Sequence, residues 1–205
     1  MSSFLFPAST VLRRPGRGTI AALASILLSL TACGGYTAVD VGGTITGLNG
    51  AGLQLANGGS VISPDASAAT FVFPNQVEIR SPYSISVVAQ PARQTCNVVN
   101  GSGVAGAAPV TVVNVVCVQN SYTLSGKVAG LTGSNLILTN GSDRLTIAGG
   151  DASGNASFTF PTPVADGAAY GVAVLAQPSN QTCTVVNGTA VMGSAPVDSV
   201  EVNCR

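Results

Sequence analysis

The sequence predicts an all-β protein in which two tandem antiparallel β-sandwich domains follow an N-terminal signal peptide. Three observations support this fold class: a duplication with a spacing of 87 residues, short apolar-polar alternations separated by Asn-Gly dipeptides, and four cysteines in two equally spaced pairs. We assign residues 1–32 to the signal peptide, 33–38 to a tether, 39–119 to the first repeat and 120–205 to the second.

The amino terminus has the composition of an export signal. Arg13, Arg14 and Arg17 give it positive charge, and an apolar core of eleven residues extends from Ile20 to Leu30. A transmembrane helix needs about 20 apolar residues. Because this core is too short to cross a bilayer, it indicates a signal peptide that is removed from the mature protein.

The end of the apolar core carries a second signal. Leu30-Thr31-Ala32-Cys33 resembles the lipobox of bacterial lipoproteins, in which small residues precede an invariant cysteine. The resemblance implies a diacylglycerol on Cys33, cleavage before it, and acylation of the new amino group by a fatty acid such as palmitate. Two or more acyl chains hold a protein stably at a membrane, whereas one is marginal. Since Gly34 rather than Asp follows, the resemblance also implies the outer membrane of a diderm bacterium. The alternative is an ordinary secretory signal with a chance cysteine.

Removal of the signal changes the charge balance. Three of the eight basic residues lie in the signal and all eight acidic residues lie after it, so the mature chain has a net charge of −3. A sparsely charged, weakly acidic surface gives no electrostatic basis for binding nucleic acid. The expected partners are therefore the membrane, through Cys33, and an unknown envelope or surface protein.

The mature chain is an internal duplication. The segment from Ala89 to Gly101 recurs from Ala176 to Gly188, with a Gln-Pro, a Gln-Thr-Cys and an Asn-Gly in the same places. The spacing is 87 residues there and 83 residues nearer the start of each repeat. The second copy therefore gains four residues in its middle. The glycines that match at the shorter spacing are Gly43 with Gly126 and Gly47 with Gly130.

Each repeat has the pattern of short β-strands. Apolar and polar residues alternate from Tyr83 to Ala89 and again from Tyr170 to Ala176, which places one face of each strand in a core. Asn-Gly dipeptides between the apolar runs predict type I′ hairpin turns. We predict seven strands in the first repeat, near residues 43–48, 52–56, 60–63, 69–76, 83–90, 95–100 and 110–118. Seven short strands fit a β-sandwich of the immunoglobulin-like class.

Four cysteines face the apolar side of the predicted strands. An exported protein meets an oxidising compartment, in which disulfides form and persist. Four cysteines allow three connectivities. The repeat symmetry selects Cys96 with Cys117 and Cys183 with Cys204. Each bond should stabilise its repeat by roughly 3 kcal/mol. Free buried thiols and a metal site are the alternatives.

The repeated residues form a recognisable pattern. Gly-x-x-x-Gly-Leu, Phe-x-Phe, Tyr-x-Val-x-Val-x-x-Gln-Pro and Gln-Thr-Cys-x-Val-x-Asn-Gly together resemble a disulfide-bearing repeat of bacterial surface proteins and lipoproteins. The resemblance covers residues 39–205. It implies an extracytoplasmic β-sandwich module without assigned catalysis.

Few residues suit catalysis or metal binding. The chain has no histidine, and neither a Gly-x-Ser-x-Gly elbow nor a phosphate-binding Gly-Lys-Ser/Thr occurs. A glycosidase pair from distant loops stays open, although only Asp65 and Asp151 correspond between the repeats. The loop from Gly149 to Asn155 is oxygen-rich but has too few carboxylates for calcium, and we interpret it as a polar hairpin turn. The sequence predicts no enzyme, no cofactor and no metal site.

Two non-enzymatic functions remain. The favoured hypothesis is a surface or periplasmic lipoprotein with a structural or protein-interaction role. The alternative is a carbohydrate-binding or adhesive module, for which Tyr36 or Tyr122 would have to be exposed because tryptophan is absent. We expect the repeated phenylalanines to lie in the core and residues 118–121 to join the repeats as a semi-rigid pair.

Overall fold

The computed structural model describes residues 37–205, and this part of the chain is all-β, as the sequence predicts. It contains twenty strands in two successive sets of ten with the same sheet orders. Within these residues no helix is long and apolar enough to cross a membrane. The predicted signal peptide, the lipidation site Cys33 and the candidate aromatic residue Tyr36 lie outside the described residues.

The first repeat is a sandwich of two four-stranded sheets with one additional strand pair. Its strands are β1 (Ala38–Val39), β2 (Val41–Thr46), β3 (Gln54–Asn57), β4 (Ser60–Ile62), β5 (Thr70–Val72), β6 (Val77–Glu78), β7 (Pro82–Ala89), β8 (Gln94–Val99), β9 (Ser102–Val104) and β10 (Val110–Gln119). One sheet has the order β5-β2-β10-β8 and the other β4-β3-β7-β9, while β1 pairs with β6.

The second repeat has the same architecture. Its strands are β11 (Ser121–Tyr122), β12 (Leu124–Ala129), β13 (Leu136–Asn140), β14 (Asp143–Ile147), β15 (Ala156–Thr159), β16 (Val164–Ala165), β17 (Ala169–Ala176), β18 (Cys183–Val186), β19 (Thr189–Val191) and β20 (Val197–Cys204). The sheet orders are β15-β12-β20-β18 and β14-β13-β17-β19, and β11 pairs with β16.

Each repeat buries the inner faces of its two sheets in a separate core. Val113 and Val115 of β10 have no exposed surface, and their counterparts Val200 and Val202 of β20 are equally buried. The repeated phenylalanines lie in these cores, as predicted, with ring centroids 5.9 Å apart and edge-to-face geometry in both pairs, Phe71–Phe73 and Phe158–Phe160. The alternation seen in the sequence therefore corresponds to inward and outward faces.

One strand pair in each repeat departs from the predicted antiparallel arrangement. β2 runs parallel to β10, and β12 runs parallel to β20, whereas the other pairs among residues 37–205 are antiparallel. Parallel neighbours require a long crossover connection, and here the rest of the repeat supplies it. Alternation shows which side chains face a core but not the direction of the neighbouring strand. The sequence therefore did not distinguish the two arrangements.

The Asn-Gly hairpins also differ from the prediction. Gly58 and Gly141 each have a φ of +58°, and the residue after each of them has a negative φ. Positive φ at the first central position alone is the pattern of a type II′ turn, so the prediction of type I′ was wrong. Asn57 and Asn140 end the preceding strands instead of entering the turns.

The seven strands predicted for the first repeat correspond to β2, β3, β4, β5, β7, β8 and β10. The structure adds β1, β6 and β9, which are two or three residues long. A strand of that length is too short to show an alternating pattern.

Candidate functional site

The four cysteines form the two disulfides that the repeat symmetry selects. Cys96 is bonded to Cys117 and Cys183 to Cys204, each across 21 residues of sequence. Cys96 lies directly opposite Cys117 in the ladder between β8 and β10, and β18 and β20 repeat this arrangement. Each bond therefore joins neighbouring strands of one sheet, whereas the disulfide of an antibody domain connects two sheets.

In each repeat a glutamine side chain forms hydrogen bonds with the unpaired backbone edge of the strand that carries the first cysteine of the disulfide, β8 or β18. Gln90 Oε1 accepts a hydrogen bond from Cys96 N at 2.7 Å, and Gln90 Nε2 donates to Cys96 O at 3.0 Å. Gln177 makes the same two bonds with Cys183, at 2.7 and 3.1 Å. Since β8 and β18 are edge strands, the amide takes the place of a neighbouring strand and satisfies groups that would otherwise be open to strand addition.

The glutamine of the Gln-Thr-Cys block has a second structural role. Gln94 is 3% exposed, and its side chain donates to Gly47 O at 2.7 Å and accepts from Asn49 N at 2.8 Å. Gln181 binds the equivalent loop of the second repeat, with Nε2 2.7 Å from Gly130 O. The sequence analysis assigned no role to these glutamines. The signal that could have identified them is their position, because Gln94 and Gln181 each lie two residues before a cysteine. The repeated polar residues thus hold the fold together.

A single residue separates the two repeats. β10 ends at Gln119 and β11 begins at Ser121, with Asn120 between them. Asn120 N donates to Arg93 O at 2.9 Å, and Asn120 O accepts from Asp166 N at 2.9 Å. Gln119 Nε2 also donates to Asp166 O at 2.9 Å. Hydrogen bonds therefore connect loops of both repeats beside the linker.

An ion pair reinforces this junction. Arg93 Nε lies 3.5 Å from Asp166 Oδ1, and the Asp166 side chain is 5% exposed whereas that of Arg93 is 63% exposed. Arg93 has a φ of +64°, a left-handed conformation that costs roughly 1–2 kcal/mol for an L-residue. Gly167 makes room for the guanidinium, because a β-carbon there would lie 2.5 Å from Arg93 Nη1. Asn180, the counterpart of Arg93 in the second repeat, has a similar φ of +59°, so this backbone conformation is common to both repeats and only the arginine side chain is specific to the junction.

The loop from Gly149 to Asn155 is a polar turn built around one carboxylate. Asp151 Oδ1 accepts from Ser153 N at 2.8 Å and from Asn155 N at 2.9 Å. The hydrogen bond from Asn155, followed by that from Ser153, lowers the pKa of Asp151 below its usual value. The loop joins β14 to β15 in different sheets, so the prediction of a polar turn holds and that of a hairpin was wrong. Residues 37–205 contain no group of three or more acidic or cysteine side chains placed to hold a metal ion.

A shallow groove crosses the outer face of β12, β15 and β20. Its volume is about 540 Å³, and its charged residues are Lys127, Asp151 and Glu201. Two carboxylates in one groove meet the first requirement of a glycosidase. A general acid also needs a raised pKa, and the pKa of Asp151 is lowered. Asp151 is therefore unsuited to protonate a leaving group.

The aromatic side chains of residues 37–205 offer no exposed platform for a sugar ring. Tyr122 is half-buried and packs against the second core. The remaining aromatic residues of this part, which include Tyr83 and Tyr170, are buried. Sugar recognition by stacking would require an exposed aromatic face.

No protein-family model matches the chain, and no curated protein sequence matches it. Among solved structures, the chain is similar to the Bacillus anthracis TIE protein, with 14% identity, a TM-score of 0.43 and coverage of 82% of this chain. The chain spans 34% of that protein's length. It is also similar to the major pilin protein (T-13) of Streptococcus pyogenes, with 11% identity and a TM-score of 0.29, covering 82% of this chain and 96% of that one.

Proposed function

We propose that this protein is a non-enzymatic lipoprotein of the bacterial cell envelope. Lipid on Cys33 anchors it in the outer membrane of a diderm bacterium, and its two sandwiches act as a stiff spacer that presents surfaces to other proteins. The observation that carries this proposal is the junction between the repeats, where the buried carboxylate of Asp166 meets Arg93 beside a linker of one residue.

The junction favours a fixed arrangement of the two repeats over a hinge. A flexible linker contains many residues without hydrogen-bond partners, such as a Gly/Ser-rich segment. Here Asn120 is bonded through both its backbone N–H and its carbonyl, and Asp166 accepts or donates through its backbone as well as its side chain. Bending the pair would expose these groups and separate a buried charge from its partner, which is costly.

The tether would keep the first repeat near the membrane. Four residues lie between Cys33 and the start of β1 at Ala38, and the five residue steps from Cys33 to Ala38 extend about 18 Å at most. The stiff junction would then hold the second repeat in a fixed position relative to the first. A spacer of this kind needs no substrate-binding residues. The repeated glutamines are consistent with this role, because their hydrogen bonds stabilise the strands and loops of each repeat.

The anchor is tested by replacing Cys33 with serine. We expect the Cys33→Ser protein to leave the membrane fraction and to lose metabolic labelling with palmitate, because serine lacks the thiol to which the diacylglycerol is attached. The wild-type chain is the control for both readouts. Tight membrane association of the unlabelled variant would contradict the proposed anchor.

The spacer role is tested by measuring distances between the repeats. Nitroxide labels on keto amino acids at Gly59 and Gly149 would sit in open space, since no atom lies within 4 Å of a β-carbon at either site. We expect one narrow distance distribution for the labelled wild type and a broad one for the Arg93→Ala/Asp166→Ala variant. A wild-type distribution as broad as that of the variant would argue against a stiff junction.

A further inference from the structure

The N-terminal end of the first repeat lies beside the segment that leads to the proposed lipid anchor. Ile79 N donates a hydrogen bond to Thr37 O at 2.9 Å. The four residue steps from Cys33 to Thr37 extend about 14 Å at most. Arg80 follows Ile79 and is exposed to solvent. Its guanidinium is therefore within reach of the headgroups of a bilayer that holds Cys33.

Arg80 and an uncharged loop form this end of the repeat, which we call the anchor end and define as residues 79–81 together with residues 106–109. Arg80 N donates to Ala105 O at 2.8 Å, and Ala105 N donates to Ser81 O at 2.9 Å. These bonds place the loop beside Arg80. The loop has the sequence Gly-Ala-Ala-Pro, and its residues are exposed. Arg80 is therefore the one charged residue of the anchor end.

The Arg80 side chain takes no part in an ion pair of the described fold. The first repeat has two basic residues, and the other one, Arg93, binds Asp166 at the junction. That ion pair is the only one among residues 37–205, so Arg80 has no carboxylate partner there. A phosphate group matches a guanidinium, because it can accept two parallel hydrogen bonds from it.

The second repeat shows what this end of a repeat contacts. Asp166 N donates to Asn120 O at 2.9 Å, which is the same bond that Ile79 makes in the first repeat. Asp166 and Gly167 occupy the positions of Ile79 and Arg80. Through Asp166 this end of the second repeat binds the first repeat, which precedes it in the chain. The anchor end should likewise meet what precedes the first repeat, namely the tether and the bilayer.

Arginine at position 80 is unfavourable for the backbone. Arg80 has a φ of +71°, and its counterpart Gly167 has a φ of +83°. Glycine adopts this left-handed region at no steric cost, whereas a residue with a β-carbon does so at the expense of stability. Glycine would therefore satisfy the backbone of the first repeat as it does that of the second. The arginine side chain needs a reason to be present other than the fold.

We propose that Arg80 binds a lipid phosphate and docks the anchor end on the headgroup layer of the bilayer that holds Cys33. The inference rests on the proposed lipid anchor and adds to it a defined orientation. Docking fixes how the first repeat stands on the membrane, and the junction of Arg93 with Asp166 transmits that orientation to the second repeat.

A bilayer suits the anchor end better than a protein partner does. A small folded domain is about 30 Å across, whereas the segment from Cys33 to Thr37 spans about 14 Å at most, so no such domain fits between this end and the membrane. Asp40 and Glu78, next to and within the strand pair β1-β6, are also exposed. A strongly anionic surface would repel their carboxylates. A zwitterionic headgroup such as phosphatidylethanolamine offers a phosphate to Arg80 and an ammonium group to the carboxylates.

The contact is weak by itself and depends on the tether. An exposed pair of an arginine and an anion shifts an equilibrium by at most about fivefold. A short tether raises the effective concentration of the headgroups to about millimolar. We therefore expect docking of the anchored protein, with a ratio of docked to undocked molecules that falls about two- to fivefold when the guanidinium is removed.

The direct test measures how close the anchor end lies to the headgroups. Gly106 belongs to the anchor end and Gly193 is its counterpart in the second repeat, and no atom lies within 4 Å of a β-carbon at either site. A fluorophore on a keto amino acid therefore fits at both. The purified full-length protein is reconstituted in vesicles of phosphatidylethanolamine and phosphatidylcholine, with a small fraction of the lipids carrying a nitroxide quencher on the headgroup. We expect stronger quenching at Gly106 than at Gly193.

Arg80→Gly is the test variant, because glycine occupies the equivalent position of the second repeat. Fluorescence lifetimes separate quenched from unquenched molecules, and their ratio at Gly106 should fall about two- to fivefold in this variant. Arg80→Lys keeps the charge and should retain most of the quenching. Lys127→Thr is the matched control, since it removes one positive charge from the second repeat and introduces the residue found at the equivalent position, Thr44.

Three results would overturn the inference. The first is equal quenching at Gly106 in the wild type and in Arg80→Gly, which would show that the tether alone holds this end at the membrane. The second is an equal loss of quenching in Lys127→Thr, which would make it a general effect of charge. The third is a lower urea midpoint for Arg80→Gly than for the wild type, which would assign the arginine to the fold.

The mass of the purified protein separates this inference from the proposed function. A protein without lipid on Cys33 would remove the anchor and the docking together. A lipidated protein whose label at Gly106 is not quenched would remove the docking and leave the anchor intact. Quenching at Gly106 that Arg80→Gly weakens and Lys127→Thr does not, in a lipidated protein of unchanged stability, supports the inference.

Discussion

Replacing Gly101 with alanine should destabilise the first repeat, because the backbone passes too close to its neighbours at this point. The Asn100-Gly101 dipeptide predicts a positive φ at the glycine. In the structure the positive φ, of +56°, is at Asn100 and not at Gly101. Gly101 is needed for a different reason. A β-carbon there would lie 2.7 Å from both Ile85 O and Val98 Cγ1, whereas real β-carbons are essentially never closer than 3.0 Å to such atoms.

The magnitude follows from a matched substitution in the same repeat. At Gly59 no atom lies within 4 Å of a β-carbon. Gly59→Ala should therefore leave the native state unstrained and stabilise the protein by about 0.4–1 kcal/mol through the unfolded state. Gly101→Ala gains the same contribution but adds the cost of overpacking, about 1–3 kcal/mol. The free energies of unfolding of the two variants should differ by that overpacking cost.

Urea unfolding followed by far-UV circular dichroism measures this difference, since the midpoint and slope give the free energy of unfolding of each variant. Gly188→Ala repeats the experiment in the second repeat, where a β-carbon would lie 2.6 Å from Val185 Cγ1 and 2.7 Å from Val172 O. If Gly101→Ala and Gly59→Ala were equally stable within about 0.5 kcal/mol, the close approach would not explain the repeated glycine.

Two further predictions concern the disulfides and the acidic loop. Cys96→Ala/Cys117→Ala should lower the free energy of unfolding by roughly 3 kcal/mol in urea unfolding, because the bond closes a loop across 21 residues; an unchanged midpoint would contradict this. The pKa of Asp151 is lowered in the folded state, so its hydrogen bonds stabilise the loop fully above the unfolded-state pKa of about 3.9 and are lost as the pH falls through the lower folded-state pKa. NMR shifts of the two amides bonded to its carboxylate should follow this titration in the wild type, and Asp151→Asn should abolish it; shifts that titrate equally in both proteins would exclude the carboxylate as the cause.

The sequence predicts the sandwiches and the cystine pairs well because these depend on short patterns. A period of two from Tyr83 to Ala89 determines which side chains enter the core, and the structure buries Tyr83 and Ile85 accordingly. The cysteine pairs follow from the repeat symmetry, since each cysteine recurs at the same spacing. Local patterns of this kind can be recognised in the sequence without knowing which distant segments contact one another.

The features that the sequence does not predict depend on distant contacts. The parallel pairing of β2 with β10 brings together the two ends of a repeat, and no pattern within either strand shows the direction of its neighbour. The ion pair between Arg93 and Asp166 joins different repeats, and Arg93 adopts a positive φ that composition does not predict for arginine. The roles of Gln90 and Gln94 likewise become visible only when the loops around Cys96 are in place.

Comparing equivalent positions of the two repeats separates residues that maintain the fold from residues that are available for function. The cystines, the glutamines and the core phenylalanines occupy the same positions in both copies, so they maintain a frame that each copy needs. Arg93 has Asn180 as its counterpart, which has a similar φ of +59° and is a residue that tolerates the left-handed region well. The shared fold therefore does not require arginine at position 93. The ion pair with Asp166 at the junction explains why arginine occurs there. The same logic applies to the outer face of the sheet β5-β2-β10-β8, where Val72, Val112, Val116 and Val118 are replaced by polar or charged residues in the second copy. Positions at which one copy departs from the shared frame are thus the ones where substitution should change interactions without unfolding the protein.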